Sequence, residues 1–257
     1  MNQTNNANKD GQKHNRRVLI CIAAAFCALF MLLSVSGFLF PNVKDHVRKW
    51  QYKTANIGSV VKLGRYEQDG NLNNGAEDIQ WLVLAREGNN ILLISKYSLL
   101  SSTYVEWSAY WDYSKNNAEL DITWANCVPR RVLNDIFYYE AFTEAEREKI
   151  ILSTVVPDED IDGGKNNEPN TQDHIFILSA SEAIKYFQND NTRKSNVTKY
   201  MLKSNEMKAY FSEWWLRSSA ERETCLLTVS GEGSIWKRGY APTSEMDIRP
   251  VLWLRVD

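Results

Sequence analysis

Glu213-Trp214-Trp215-Leu216-Arg217-Ser218-Ser219 is the stretch on which the fold turns, and Ile248-Arg249-Pro250-Val251-Leu252-Trp253-Leu254 answers it near the C-terminus. Each reads as a short strand dense in indole and aliphatic carbon, and each holds one arginine among groups that bury. A buried guanidinium that is neither paired nor hydrogen-bonded costs several kcal/mol. The two strands therefore predict one core whose polar wiring admits a single arrangement of sheet and loops. A structural role is expected for Trp214, Trp215, Arg217 and Arg249.

Between these strands, Cys225 to Val229 and Gly233 to Trp236 form an expected hairpin. Upstream, His174-Ile175-Phe176-Ile177-Leu178 reads as a strand, and Ser179 with Glu182 as a capping box opening a helix through Phe187. Thr198 to Lys203 makes a further short helix. Thr143 with Glu146 caps another through Ile150, and Pro129 to Phe137 makes a helix with proline in its first turn. Earlier still, Ile79 to Leu84 and Ile91 to Ser95 flank Gly88-Asn89-Asn90, the clearest hairpin signal in the chain. Strands first, helices in the middle and strands last predict an α+β domain, with the first and last strands as neighbours.

The N-terminal quarter is different. Residues 1–17 form an Asn-rich polar tail with too little apolar carbon to fold. Val18 to Phe40 is uncharged and almost wholly apolar, long enough as a helix to cross a hydrocarbon layer of roughly 30 Å. A cleaved signal peptide would carry a shorter apolar run, of about 7–15 residues. The reading is a transmembrane signal-anchor helix over 18–40, a juxtamembrane linker over 41–58 and one domain over 59–257. Lys9, Lys13, Arg16 and Arg17 before the run nearly balance Lys44, Arg48, Lys49 and Lys53 after it; Arg16 and Arg17 abut the run and favour an N-terminus inside, with the domain then outside the cell.

Composition removes several function classes. The formal net charge of −2 includes a basic tail, so the remainder is mildly acidic and unsuited to nucleic acid. Of three histidines, only His174 falls in the domain, and no G-x-S-x-G turn, Walker loop or dinucleotide fingerprint accompanies it. Cys127 and Cys225, the thiols outside the apolar run, are too few and too widely spaced for a zinc cluster. They read as two separate buried thiols, although outside the cell they could pair.

Eight short motifs, taken in order, carry a resemblance. They are Val61-Lys62-Leu63-Gly64-Arg65-Tyr66-Glu67-Gln68-Asp69-Gly70, Ile79-Gln80-Trp81-Leu82-Val83-Leu84, Leu92-Leu93-Ile94-Ser95-Lys96-Tyr97, Thr123-Trp124-Ala125-Asn126-Cys127, Leu133-Asn134, Ile175-Phe176-Ile177-Leu178-Ser179, Trp214-Trp215-Leu216-Arg217-Ser218 and Ile248-Arg249-Pro250. Together they resemble a bacterial domain-of-unknown-function family, number six-two-seven-three, over roughly Ser59 to Val256. That family's closing strands are similar in turn to the C-type-lectin fold, including its formylglycine-generating-enzyme branch. The resemblance implies adjacent termini, two helices, small antiparallel sheets, short helices and long ligand-bearing loops. The copper-binding cysteine pair of the enzymatic branch has no match in Cys127 and Cys225, so that activity is not carried over. Fold alone grants no function.

Two departures from the family pattern stand out: Met246-Asp247-Ile248 before the R-P motif, and the segment Tyr104 to Asp121, which reads as an enlarged irregular loop. Its Trp107, Tyr110, Trp111 and Tyr113, among Ser108, Asp112, Asn116 and Asn117, suit stacking on sugar rings or a protein surface. Packing into the domain's own core is the competing reading. Trp236, Arg238 and Tyr240, with Lys237, make a second aromatic-basic candidate in a turn. Asp158, Asp160 and Asp162 before Gly163 begin a D-x-D-x-D-G calcium loop, but Pro169 stands where its bidentate glutamate belongs. Ca²⁺ is thus the one cofactor the sequence suggests, against a plain solvated acidic loop. The expected function is a membrane-anchored, extracytoplasmic binding module that recognises glycan or a protein partner through loops. An enzyme of the same fold acting on surface glycan, or a tethered intracellular interaction domain, are the alternatives.

Overall fold

A computed structural model describes residues 41–116, 118–158, 169–204, 210–222 and 224–256. The expected anchor over 18–40 lies outside the described residues, as do Asp160, Asp162 and Asn117. No helix among the described residues is long and apolar enough to cross a membrane. The chain divides after Trp50, within helix α1 (Pro41–Thr54), and the larger unit begins at Gln51.

Three sheets organise the larger unit. The first has the order β1 (Val60–Tyr66), β2 (Glu77–Glu87), β3 (Asn90–Ser95), β11 (Val251–Arg255). The second has the order β4 (Leu100–Ser102), β10 (Met246–Ile248), β7 (Trp214–Ser219), β8 (Leu226–Val229), β9 (Ile235–Tyr240). A small third pairs β5 (Ser153–Val155) with β6 (Thr171–Asp173). The pairings are antiparallel except β10 with β7, where Asp247 faces Trp214 in parallel. The fold is α+β with small, mainly antiparallel sheets and short helices, as expected.

Burial explains the first sheet. In β2, Ile79, Trp81 and Val83 alternate inward with half-buried neighbours, the signature of a strand with one wet face. In β3, Ile91 to Ser95 are all buried, so the strand is covered on both faces and needs a partner on each side. Its second partner is β11, from Val251↔Ile94 to Arg255↔Asn90. The last strand therefore neighbours the third rather than the first, correcting the expectation; β1 sits at the opposite edge. The outer edge of β11 is not left open. Phe176 exchanges two backbone hydrogen bonds with Val251, and Ile151 donates to the Trp253 carbonyl.

Ile248 to Leu254 is likewise not one strand. Arg249-Pro250 breaks it, and the chain passes there from the second sheet into the first. Pro250 has no N–H to give a ladder, yet its carbonyl accepts from Ser95 N at 2.9 Å. The crossing places Arg249 between the two sheets. The expected strand over His174 to Leu178 is also absent: apart from the Phe176 bridge it is irregular, and the ladder falls just before it, at β6.

The helices follow their local signals more closely. The capping box of Thr143 and Glu146 opens α5 (Glu144–Arg147), and that of Ser179 and Glu182 opens α6 (Ala180–Tyr186). The helix predicted from Pro129 is a longer run, α3 (Val128–Arg131), a π-type segment (Val132–Phe137) and α4 (Tyr138–Ala141). Asn134 accounts for the widened turn. Its Nδ2 donates to the Arg130 carbonyl, which an α-helix would give to a backbone N–H, and also to the Ile175 carbonyl, while its Oδ1 accepts from His174 N and Ile175 N. One side chain thus ties the irregular 174–175 segment to the helix. Beside it, β1 loses register between Lys62 and Arg65. Gly64 lies there at φ +66°, where a Cβ would stand 2.7 Å from the Ala141 carbonyl oxygen.

Candidate functional site

Several motif residues are drawn into buried polar knots. Arg217 is 5% exposed and makes a bidentate pair with Glu182, at 2.9 Å on both arms. Glu182 also accepts from Ser179 N, so the same carboxylate caps α6 and neutralises β7. Arg249 is 2% exposed and its hydrogen bonds go to backbone carbonyls. Its Nε and Nη2 donate to Ser95 O and its Nη1 to Arg193 O, and its guanidinium lies 5.0 Å from the centre of the Trp214 ring. Burial pushes its pKa down to about 9, which leaves it charged at neutral pH. A third knot has Asp173, 1% exposed, accepting from Arg130 Nε at 2.7 Å, Trp124 Nε1 at 2.9 Å and Thr171 Oγ1. Trp215 is fully buried, donates Nε1 to Ser102 O and meets Tyr104 edge-on. These residues hold the fold together.

The aromatic segment behaves differently. It is a helix, α2 (Trp107–Asn116), rather than the irregular loop expected, and none of its residues is buried. Its i, i+3, i+4 spacing of Trp107, Tyr110 and Trp111 was the helical signal, masked by the polar residues between them. Tyr104 and Val105, both buried, donate backbone N–H to Pro242 O and fix the helix entrance. Tyr110 packs partly on the core. Trp107 and Trp111, one turn apart, are 62% and 60% exposed. Trp107 meets Tyr110 edge-on at 6.1 Å, Tyr110 leans on Tyr113, and the Lys115 ammonium lies 5.3 Å from the Trp111 ring. The polar neighbours stay exposed and bond along the helix: Asn116 donates to Asp112, and Ser114 to the Trp111 carbonyl.

The other candidates fall elsewhere. Trp236, Lys237, Arg238 and Tyr240 lie on edge strand β9, not in a turn; Trp236 is 47% exposed, and Tyr240 Oη donates to Glu213. β9 and β4, the strand preceding α2, are opposite edges of one sheet, so the two aromatic groups belong to different edges. Asp158 accepts from Ser218 Oγ at 2.6 Å and from Ser181 N. Burial works to raise its pKa, but hydrogen bonds from Ser181 and Ser218, with Arg217 nearby, hold it below the ordinary carboxylate range. It therefore serves the entry of α6. Cys127 and Cys225 are two free buried thiols, and burial pushes the Cys127 thiol up to about 12.

Two groupings were not legible in the sequence. Glu67, Asp69 and Glu77 bring carboxylate oxygens within 4.8 Å of one another. Each accepts backbone N–H groups of its own loop, from Gly70, Asn71, Gln68 and Asp69, and so folds the turn that the sequence marked only by its Gly and Asn content. The second is a cavity beside His174, whose lining comes from three distant segments that no local pattern links.

Residues 88–256 match the family described as Domain of unknown function (DUF6273), and the chain belongs to that family. The match begins after β1 and β2, so the first two of the eight motifs precede it. No curated protein and no solved structure matches the chain.

Proposed function

We propose that this family member is a membrane-anchored binding module that presents α2 to a partner protein outside the cell, with 18–40 as the anchor and the C-type-lectin-like arrangement as the scaffold. The carrying observation is the pair of indoles at i and i+4, both about three-fifths exposed on a helix with no buried residue. Leaving large aromatic surface in water is unfavourable, and contiguous exposed aromatics mark interaction surfaces. A helical aromatic ridge fits a groove, with Trp and Tyr as anchors. On a sugar platform the exposed Asp112, Asn116 and Ser114 would have to exchange their bonds along the helix for sugar hydroxyls.

The test compares full-length wild type with the Trp107→Ala/Trp111→Ala double variant, by photo-crosslinking in cells and on a glycan array. A crosslinked protein band that disappears with the two indoles supports the reading. Indole-dependent glycan binding would transfer the site to sugars, and binding that ignores the indoles in both assays would reject it.

A further inference from the structure

A cavity of about 550 Å³ opens where α4, α5 and the end of β11 meet the irregular segment at His174. That volume lies within the usual range for small-molecule sites. Its floor is aromatic: His174 stacks on Tyr138 at 4.4 Å and 6°, held there because Asn134 fixes the backbone of residues 174 and 175. Arg147, half-buried, lies 5.3 Å from the Tyr139 ring and 5.9 Å from that of Tyr138, with Nη1 donating to Phe142 O at 2.6 Å. Arg255 reaches the same cavity from the end of β11, with Nη2 on the Glu148 carbonyl at 3.0 Å.

The charges in this wall are arranged unlike those at the two buried ion pairs. Arg130 and Arg217 meet the carboxylates of Asp173 and Glu182. Arg147 is one turn or less from Glu144 and Glu148, which line the cavity with it, yet no ion pair joins these three among the described residues. Arg147 is instead pinned by a carbonyl and two rings, so its fork is pre-organised with Nε and Nη2 still to be used. Arg147, with donors still open, facing the rim carboxylates of Glu144 and Glu148 disfavours a dianion and suits one molecule carrying both signs.

We propose that this cavity is a binding site for a small zwitterion, a carboxylate and an ammonium on one short frame as in a dipeptide. The carboxylate docks on Arg147 and Arg255, and the ammonium faces Glu144 and Glu148. Tyr138, backed by His174, forms the apolar floor beneath the frame.

Titration of the full-length chain, followed by saturation-transfer NMR, tests this with four probes: glycylglycine, acetylglycine (carboxylate only), glycinamide (ammonium only) and inorganic phosphate. Glycylglycine should bind saturably at millimolar concentration and more tightly than the other three. Arg147→Gln should weaken it about tenfold, the loss expected for a charge-assisted hydrogen bond. Glu148→Gln should weaken glycylglycine and leave acetylglycine unchanged. Because Arg147 holds Phe142 O and Arg255 holds Glu148 O, circular dichroism checks that each variant is folded; Arg255→Gln at the exposed rim is the second variant and should also weaken glycylglycine. No saturable binding of glycylglycine, undiminished binding by both arginine variants, or tighter binding of phosphate would each overturn the proposal.

Discussion

Tryptophan is used in opposite ways by β7 and by α2. Trp214 and Trp215 are adjacent on a strand, so their rings go to opposite faces of the sheet, and each face is covered until both indoles are at 0% exposure. Trp107 and Trp111 are four apart on a helix, so they share one side, and no element among the described residues buries them. Polar partners mark part of the difference. Buried Trp81, Trp124 and Trp215 each donate Nε1 to a protein acceptor, Leu63 O, Asp173 or Ser102 O, and Trp214 lies beneath the Arg249 guanidinium. Among the described residues the buried Trp214 Nε1 has no hydrogen-bond partner, so polar pairing is not universal in the core. Aromatic content therefore does not separate core from contact surface; spacing does.

If the comparison holds, the largest loss comes from breaking the β7 side. Arg249→Ala strands the Ser95 and Arg193 carbonyls and empties the space between Trp214 and Phe187. A cost of about 4 kcal/mol is expected in urea unfolding at constant slope; a loss below about 1 kcal/mol would mean that Arg249 is not what joins the two sheets.

A smaller effect belongs to Asp158, whose carboxylate stays charged through its bonds to Ser181 and Ser218. A folded-state pKa below the unfolded value of about 3.9 gives stability that is present above that value and is lost as pH falls through the folded one. Asp158→Asn should cost about 1 kcal/mol at pH 7 and flatten the acid limb of a Tm-versus-pH curve below about pH 4. An unchanged acid limb would remove Asp158 from the knot around α6.

The smallest effect sharpens the contrast from the other side. Trp107→Ala and Trp111→Ala should each leave unfolding free energy within about 0.5 kcal/mol of wild type, as for exposed positions, whereas Trp215→Ala should cost about 3–5 kcal/mol. A large loss at Trp107 would show that α2 supports the core and would cancel its assignment as a contact surface.

How much of this was readable in advance depends on the range of each interaction. Gly88 with Asn89 announced the β2–β3 hairpin, and the two capping boxes announced α5 and α6, because all of these are settled within a few residues. The β11–β3 pairing was missed because β3 is buried on both faces, a property that periodicity does not distinguish from a short apolar run of any other kind. The π-type segment was missed because it depends on Asn134 reaching a partner 41 residues away. Of the candidate surfaces, Trp107 and Trp111 were legible by residue type and not by conformation. The zwitterion cavity had no signature, since Arg147, His174 and Arg255 share no motif.

By itself the sequence determined that the region after the apolar run is α+β, that it belongs with one family of domains, and that its arginines among indoles must be buried with partners, because burying an unsatisfied charge is costly anywhere. Only the tertiary structure decided what those partners are. Glu182 answers Arg217, whereas backbone carbonyls and ring faces answer Arg249. That choice depends on which segments cross at one point in space, and long-range crossing is set by the packing of the two sheets rather than by any neighbour along the chain.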